Sequence, residues 1–181
     1  MRKTVLVLVG CLVLMTGPAW AGGAFSLFGT YGQINEYNGS LGAGARLSFG
    51  GERLMADVTA TWFPSHNGVV AKNGSVEVFD SLQILPLEIG ARWMFSPGSE
   101  LRPYVGAGAS YMLVNLSQGD ADDEWGYYLM GGFGIFMWDE AGCFYFEALY
   151  RKADATLQYG STSYDRSLGG FAGSIGFMWN F

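Results

Sequence analysis

The chain has 181 residues, of which 50% are hydrophobic, 16% aromatic and 14% charged, with 28 glycines and a formal net charge of −6. Phe, Tyr and Trp number 29 against 26 for Lys, Arg, Asp and Glu together, which excludes a disordered chain, because such chains are poor in aromatics and rich in charge. An ordinary soluble domain carries about 25% charged residues, so there is too little charge here to cover a water-facing surface, and the acidic balance excludes a nucleic-acid binder.

Arg2 and Lys3 precede the apolar run Val5 to Met15 and the small-x-small site Ala19-Trp20-Ala21, the layout of a secretory signal peptide. Residues 1–21 are therefore read as a signal and 22–181 as one domain. Leu8-Val9-Gly10-Cys11 has the form of a lipobox, but the apolar run continues past Cys11, which favours cleavage after Ala21. The run is far shorter than the roughly 20 residues of a membrane-spanning helix. The remaining 160 residues carry 8 basic and 16 acidic side chains and a single cysteine, Cys143, so no intramolecular disulfide can form.

The rest of the chain alternates with period two, the signature of strands. Predicted strands run, in order, over Ala24–Gln33, Leu41–Phe49, Arg53–Phe63, Leu82–Phe95, Arg102–Leu116, Trp125–Trp138, Cys143–Lys152 and Arg166–Phe181. The last shows Phe171, Gly173, Ile175, Phe177, Trp179 and Phe181 on one face and small or polar residues on the other. Membrane-spanning strands need only about 9 to 11 residues. Short connections at 50–52, 96–101 and 139–142 alternate with longer polar ones at 34–40, 64–81, 117–124 and 153–165, which contain the turn signals Asn38-Gly39, Asn67-Gly68 and Asn73-Gly74. The pattern predicts an all-β, eight-stranded antiparallel up-and-down transmembrane barrel, with short periplasmic turns, long outer loops and both termini periplasmic.

Arg46, Asp57, Glu88, Arg92, Glu147 and Arg151 all fall on the face opposite the apolar one, which spares them the roughly 2–4 kcal/mol cost of a charge against lipid. Three cations and three anions balance there, and an interior of this size is filled by side chains. The expectation is a structural, charge-matched lumen network, with a proton or ion pathway as the alternative. Inward glycines make room for large neighbours, and Trp62, Trp93, Tyr127, Phe144 and Trp179 are candidates for interfacial girdles.

Three stretches carry a family resemblance: Pro86-Leu87-Glu88-Ile89-Gly90-Ala91-Arg92, Arg102-Pro103-Tyr104-Val105-Gly106-Ala107-Gly108-Ala109, and the alternating aromatic end at Phe181. With these the chain resembles the small outer-membrane β-barrel superfamily of Gram-negative bacteria, which includes the OmpA transmembrane domain, OmpX, OmpW and opacity-type proteins. The resemblance implies a porin-like, OmpA-like barrel in the outer membrane, in contact with lipid and lipopolysaccharide. It also implies that Phe171, Phe177, Trp179 and Phe181 form the signal read by the barrel-assembly machinery. No peptidoglycan-binding domain is expected after Phe181, unlike the two-domain OmpA plan.

Catalysis would have to use His66, the sole histidine, with Ser65 and Glu77 or Asp80. Adjacent residues alternate sides of a strand, and the motifs of lipid A deacylases are not visible, so a non-enzymatic protein without cofactor is expected. Asp120, Asp122, Asp123 and Glu124 offer oxygen ligands for Ca²⁺ or Mg²⁺ but lack the spacing of an EF-hand, and they read as a solvated loop. The expected role is structural or surface-interacting, as a monomer, with outer-loop tyrosines such as Tyr37, Tyr159 and Tyr164 available to an external ligand. A narrow OmpW-like conduit for small hydrophobic solutes is the alternative.

Overall fold

The computed structural model describes residues 22–33, 39–73, 76–116, 120–121, 124–159, 162–167 and 169–181. The expected signal peptide, Cys11, Tyr37, most of the first outer connection, Asp122 and Asp123 lie outside the described residues, and of the described residues within 65–82, 115–123 and 154–168 only the backbone is described. The strands are β1 (Gly23–Gly32), β2 (Ser40–Gly50), β3 (Leu54–Asn73), β4 (Val76–Met94), β5 (Leu101–Leu116), β6 (Asp120–Ala121), β7 (Glu124–Met137), β8 (Gly142–Tyr159), β9 (Thr162–Ser167) and β10 (Gly170–Asn180).

Every pairing is antiparallel between neighbours, and the sheet closes on itself where β1 pairs β10 from Ala24↔Asn180 to Gly32↔Ala172. Closure removes the free edges that lipid could not satisfy. Eight strands make the ring, while β6 and β9 add to the far end of β8. The connections at 51–53, 95–100 and 138–141 gather at one end with Gly22 and Phe181, here called the turn end.

Period-two patterning sorts the side chains as the sequence predicts. In β1 the buried positions Ala24, Ser26, Phe28, Thr30 and Gly32 alternate with exposed Phe25, Leu27, Gly29 and Tyr31. Around the ring the exposed set is apolar, including Trp62, Ile89, Trp93, Leu129, Ile135 and Ile175, while the buried set holds the charged and hydroxyl side chains together with methionines, tyrosines and a few aliphatic and aromatic residues such as Phe63, Ile84 and Leu149. Charged groups turned inward and large apolar side chains turned outward are what a hydrocarbon solvent selects.

The inner face is crowded, so large side chains sit beside glycines. A Cβ on Gly132 would come within 2.9 Å of the Tyr104 ring, and one on Gly106 within 2.5 Å of Met130 Cε. Glycine here is a matter of space rather than of backbone conformation.

Four expected boundaries are corrected. The connection expected at 64–81 is mostly strand, because β3 continues to Asn73 and β4 begins at Val76. Asn67-Gly68 is not a turn: Asn67 pairs Ser81 and Gly68 pairs Asp80, between register shifts at Phe63/His66 and Val69/Ala71. The valines at 69, 70, 76 and 78 favour extended chain, and each strand supplies the other's ladder, a tertiary gain that overrides the local turn signal. Likewise the connection expected at 153–165 is a hairpin of β8 and β9, and part of the one at 117–124 forms β6. The eighth strand, expected from Arg166, begins at Gly170 instead, and Arg166 belongs to β9 opposite Ala155. The backbone passes close to β8 at Gly169, where a Cβ would meet the Arg151 carbonyl at 2.5 Å.

The two faces should respond oppositely to charge. Ile175→Arg, at the exposed centre of β10, is expected to cost about 2–4 kcal/mol of folding stability in reversible urea titrations in lipid vesicles. Equal stability of this variant and the wild type would contradict the assignment of that face to lipid.

Candidate functional site

The interior is built around arginines. Arg46 on β2 forms a two-pronged bridge to Glu147 on β8, Nη1 to Oε2 at 2.9 Å and Nη2 to Oε1 at 2.6 Å. Its Nε donates to Thr59 Oγ1 at 3.1 Å, and Tyr104 Oη donates to Glu147 Oε2 at 3.0 Å. The guanidinium also lies 5.7 Å from the Phe28 ring and 5.6 Å from the Tyr145 ring. Parallel N–H donors in a planar fork match a carboxylate in geometry as well as charge.

Arg92 on β4 holds Asp57 on β3, Nη2 to Oδ1 at 3.1 Å, and the same nitrogen donates to Ser48 Oγ at 3.1 Å and approaches Met55 Sδ at 3.7 Å. Ser48 Oγ donates to Asp57 Oδ1 at 2.6 Å, and Arg92 stacks 5.1 Å from the Tyr104 ring. Arg151 on β8 reaches Glu88 on β4 through Nε at 3.0 Å and Nη2 at 2.5 Å. All six charged side chains are buried. Two of the pairs join strands that are not neighbours in the ring, so they cross the interior rather than run along its wall.

Between Arg46–Glu147 and Arg151–Glu88 lies a cavity of about 10 Å³, walled by Phe28, Thr30, Thr61, Phe63 and Leu149. That is roughly the volume one water needs. Towards the turn end the interior widens into a cup of about 360 Å³, with Met55, Met94, Met178 and Phe136 on its floor and Glu52, Asp139, Glu140 and Arg102 around it.

The six charged residues singled out from the sequence are thus brought together as three pairs. Arg102 was missed. It is buried, pairs with Glu140, donates from Nε to Ser99 O at 2.8 Å and lies 4.0 Å from the Phe136 ring. Its place two residues before Tyr104 on one strand face was the available signal. The interior methionines and Tyr104, Tyr128 and Tyr145 were also passed over, since apolar and aromatic residues in a barrel are first assigned to lipid.

The other candidates are dispersed. Phe171, Trp179 and Phe181 are exposed on the outer wall, and Phe177 is half-buried with Trp138, Phe144 and Trp179 around it. Trp62, Trp93, Tyr127, Phe144 and Trp179 are exposed on that same wall. Asp120 lies in β6 opposite Gln158, and Glu124 opens β7 opposite Met112. Among the described residues no group of three His, Cys, Asp or Glu side chains could hold a metal. His66 pairs Leu82 across the β3–β4 ladder, while Glu77 pairs Lys72 and Asp80 pairs Gly68, so neither acid stands opposite the histidine.

Residues 38–181 match the OmpW family. The chain belongs to the OmpW family. Among solved structures it is similar to the outer membrane protein OprG from Pseudomonas aeruginosa, at 16% identity and TM-score 0.70, covering 88% of this chain and 96% of that one. It is also similar to Neisserial surface protein A, at 13% identity and TM-score 0.61 over 88% and 96% of the two chains. The outer membrane protein AlkL, solved in lipid bilayers, gives 13% identity and TM-score 0.58 over 92% and 93%. No curated protein sequence matches. This OmpW-family chain is an outer-membrane β-barrel.

Removing one partner of a buried pair strands the other. Arg92→Met is expected to destabilise the barrel by about 3–5 kcal/mol, and Arg92→Met with Asp57→Asn by clearly less. Urea unfolding of both variants in lipid vesicles checks this, and equal losses would show that the carboxylate does not depend on the arginine.

Proposed function

We propose that this OmpW-family barrel is a non-catalytic envelope protein whose lumen is closed to ions by its charged network. In this reading the turn end faces the periplasm, and contacts with external partners are made by the extended hairpins at the opposite end. The observation that carries the proposal is the pair of bridges crossing the interior, Arg46–Glu147 and Arg151–Glu88, with a cavity of about 10 Å³ between them. An aqueous path needs a continuous column of water, and a gap of about one water volume is not a column. Family membership supports the outer-membrane setting. Lipid and lipopolysaccharide cover the apolar wall, and the exposed aromatic end of β10 is the segment offered to the assembly machinery.

A second reading, a conduit for small apolar solutes, draws on one feature of the wall. The ladder between β3 and β4 is interrupted at Thr61 and Trp62, opposite Leu85 and the buried Pro86, before pairing resumes at Phe63↔Ile84. Proline has no N–H to give the ladder. A solute entering from the hairpin end would leave sideways there, without crossing the ion pairs.

Planar-bilayer recording of the refolded barrel separates these readings from an open pore. The wild type is expected to be silent while verified as inserted, and Arg92→Ala or Glu88→Ala to give small, flickering conductance. A steady wild-type current reduced or reshaped by these variants would overturn the closed lumen. Faster uptake of an apolar dye into vesicles carrying the silent wild type, abolished by Pro86→Val, would favour the conduit.

A further inference from the structure

Large side chains do not cover the outer wall evenly. On β10, β8 and β7 the register sets Gly173 beside Ala148 and Ala148 beside Gly131, all three on the outward face. Two residues towards the hairpin end the same strands present Phe171, Tyr150 and Leu129, and two residues towards the turn end they present Ile175, Phe146 and Phe133. A trench one residue wide therefore runs between two apolar ridges. Each ridge contains a ring pair, Tyr150–Phe171 at 4.9 Å and Phe133–Phe146 at 5.3 Å between centroids. With its continuation over Gly29 on β1, the groove encloses about 800 Å³.

Interior glycines are required by crowding, but these are not. A Cβ on Gly29 or Gly173 would meet nothing within 4 Å, and one on Gly131 would meet only the Tyr104 carbonyl oxygen at 3.8 Å. None of the three has a positive φ. Glycine weakens a strand and often marks a place where another body approaches the backbone closely.

Lys152 identifies that body. It is exposed on β8, four residues and about 13 Å beyond Ala148 towards the hairpin end. Among the side chains described, it is the one charge on the outward face of the ring strands, and no described ion pair includes it. Its register partner is the exposed Tyr127, with exposed Trp125 and Tyr150 on the same two strands. Such aromatics sit at the headgroup level of a membrane, where a lysine can reach the interface. A cation at that level above an apolar trench is complementary to a lipid with an anionic head. The outward wall of a second copy offers Lys152 no described anion.

We propose that this groove seats a phosphorylated glycolipid of the outer leaflet, lipid A, with a phosphate on Lys152 and an acyl chain in the trench over Gly173, Ala148 and Gly131. The ammonium and phosphate form charge-assisted hydrogen bonds, and the small residues let the chain lie against the backbone between the ridges. The choice of leaflet rests on the reading that the turn end faces the periplasm.

The test is native mass spectrometry of the refolded barrel released from detergent after titration with bisphosphorylated lipid A. One lipid A per barrel is expected, with affinity lowered about fivefold or more in Lys152→Gln, lowered also in Gly173→Leu and Gly131→Leu, and unchanged in Ala91→Leu on the outward face of β4. Dephosphorylated lipid A is expected to bind the wild type as weakly as lipid A binds Lys152→Gln. Heat-modifiable migration on gels verifies that each variant is folded. Binding that survives Lys152→Gln, binding that survives both trench variants, or phosphatidylglycerol held as tightly as lipid A would overturn the site. Protease cleavage of the β3–β4 hairpin in intact cells reads the orientation separately. A hairpin sealed from outside would overturn that reading, and with it the outer-leaflet occupant, even where phosphate binding to Lys152 is intact.

Discussion

A charge inside a narrow membrane barrel has neither water around it nor a wide dielectric to spread into, so it persists only beside an opposite charge of good geometry. That constraint organises this molecule. The closed ladder satisfies the backbone, the alternating strands turn apolar side chains to lipid, and what remains inside must be mutually complementary. Arg46, Arg92 and Arg151 each meet a carboxylate, and hydroxyls from Ser48, Thr59 and Tyr104 occupy further donor and acceptor positions. Glycines beside the aromatic rings provide the space in which these long side chains meet. The same packing that steadies the barrel leaves little room for solvent at mid-height, and the proposed closure rests on it.

The interior is therefore stratified rather than uniform. A methionine-floored cup lies at the turn end, a layer of crossing ion pairs above it, and then a belt that includes Phe63, Ile84, Met112 and Leu149. Each layer has its own chemistry because side chains from several strands converge at each level.

Much of this was legible in the chain. Period-two alternation gave the strand type most clearly in β10, and the same alternation along β2, β3, β4 and β8 gave the inward position of the six charged residues, because a one-residue slip of any of these strands would have placed its charges against lipid. What the sequence does not encode locally is the shear of the barrel, so it could not say that Arg46 meets Glu147 across the interior while Arg92 meets Asp57 next door. Nor could it show that β3 and β4 continue past Phe63, since Asn67-Gly68 is a genuine local turn preference overcome only by pairing with the partner strand. Arg102 was overlooked because it sits at a strand end, where a charge is ordinarily solvated, and its partner Glu140 comes from a turn 38 residues away.

The account rests on pairing across the interior, and charge exchange probes it directly. Arg46→Glu and Glu147→Arg would each place two like charges in contact, whereas the double exchange restores one of each. The measurement is the folded fraction of each barrel after refolding into lipid vesicles, read by heat-modifiable migration. The account predicts failure of both single variants and recovery in the double variant. Single variants that fold as well as the wild type, or a double variant that stays unfolded, would contradict it.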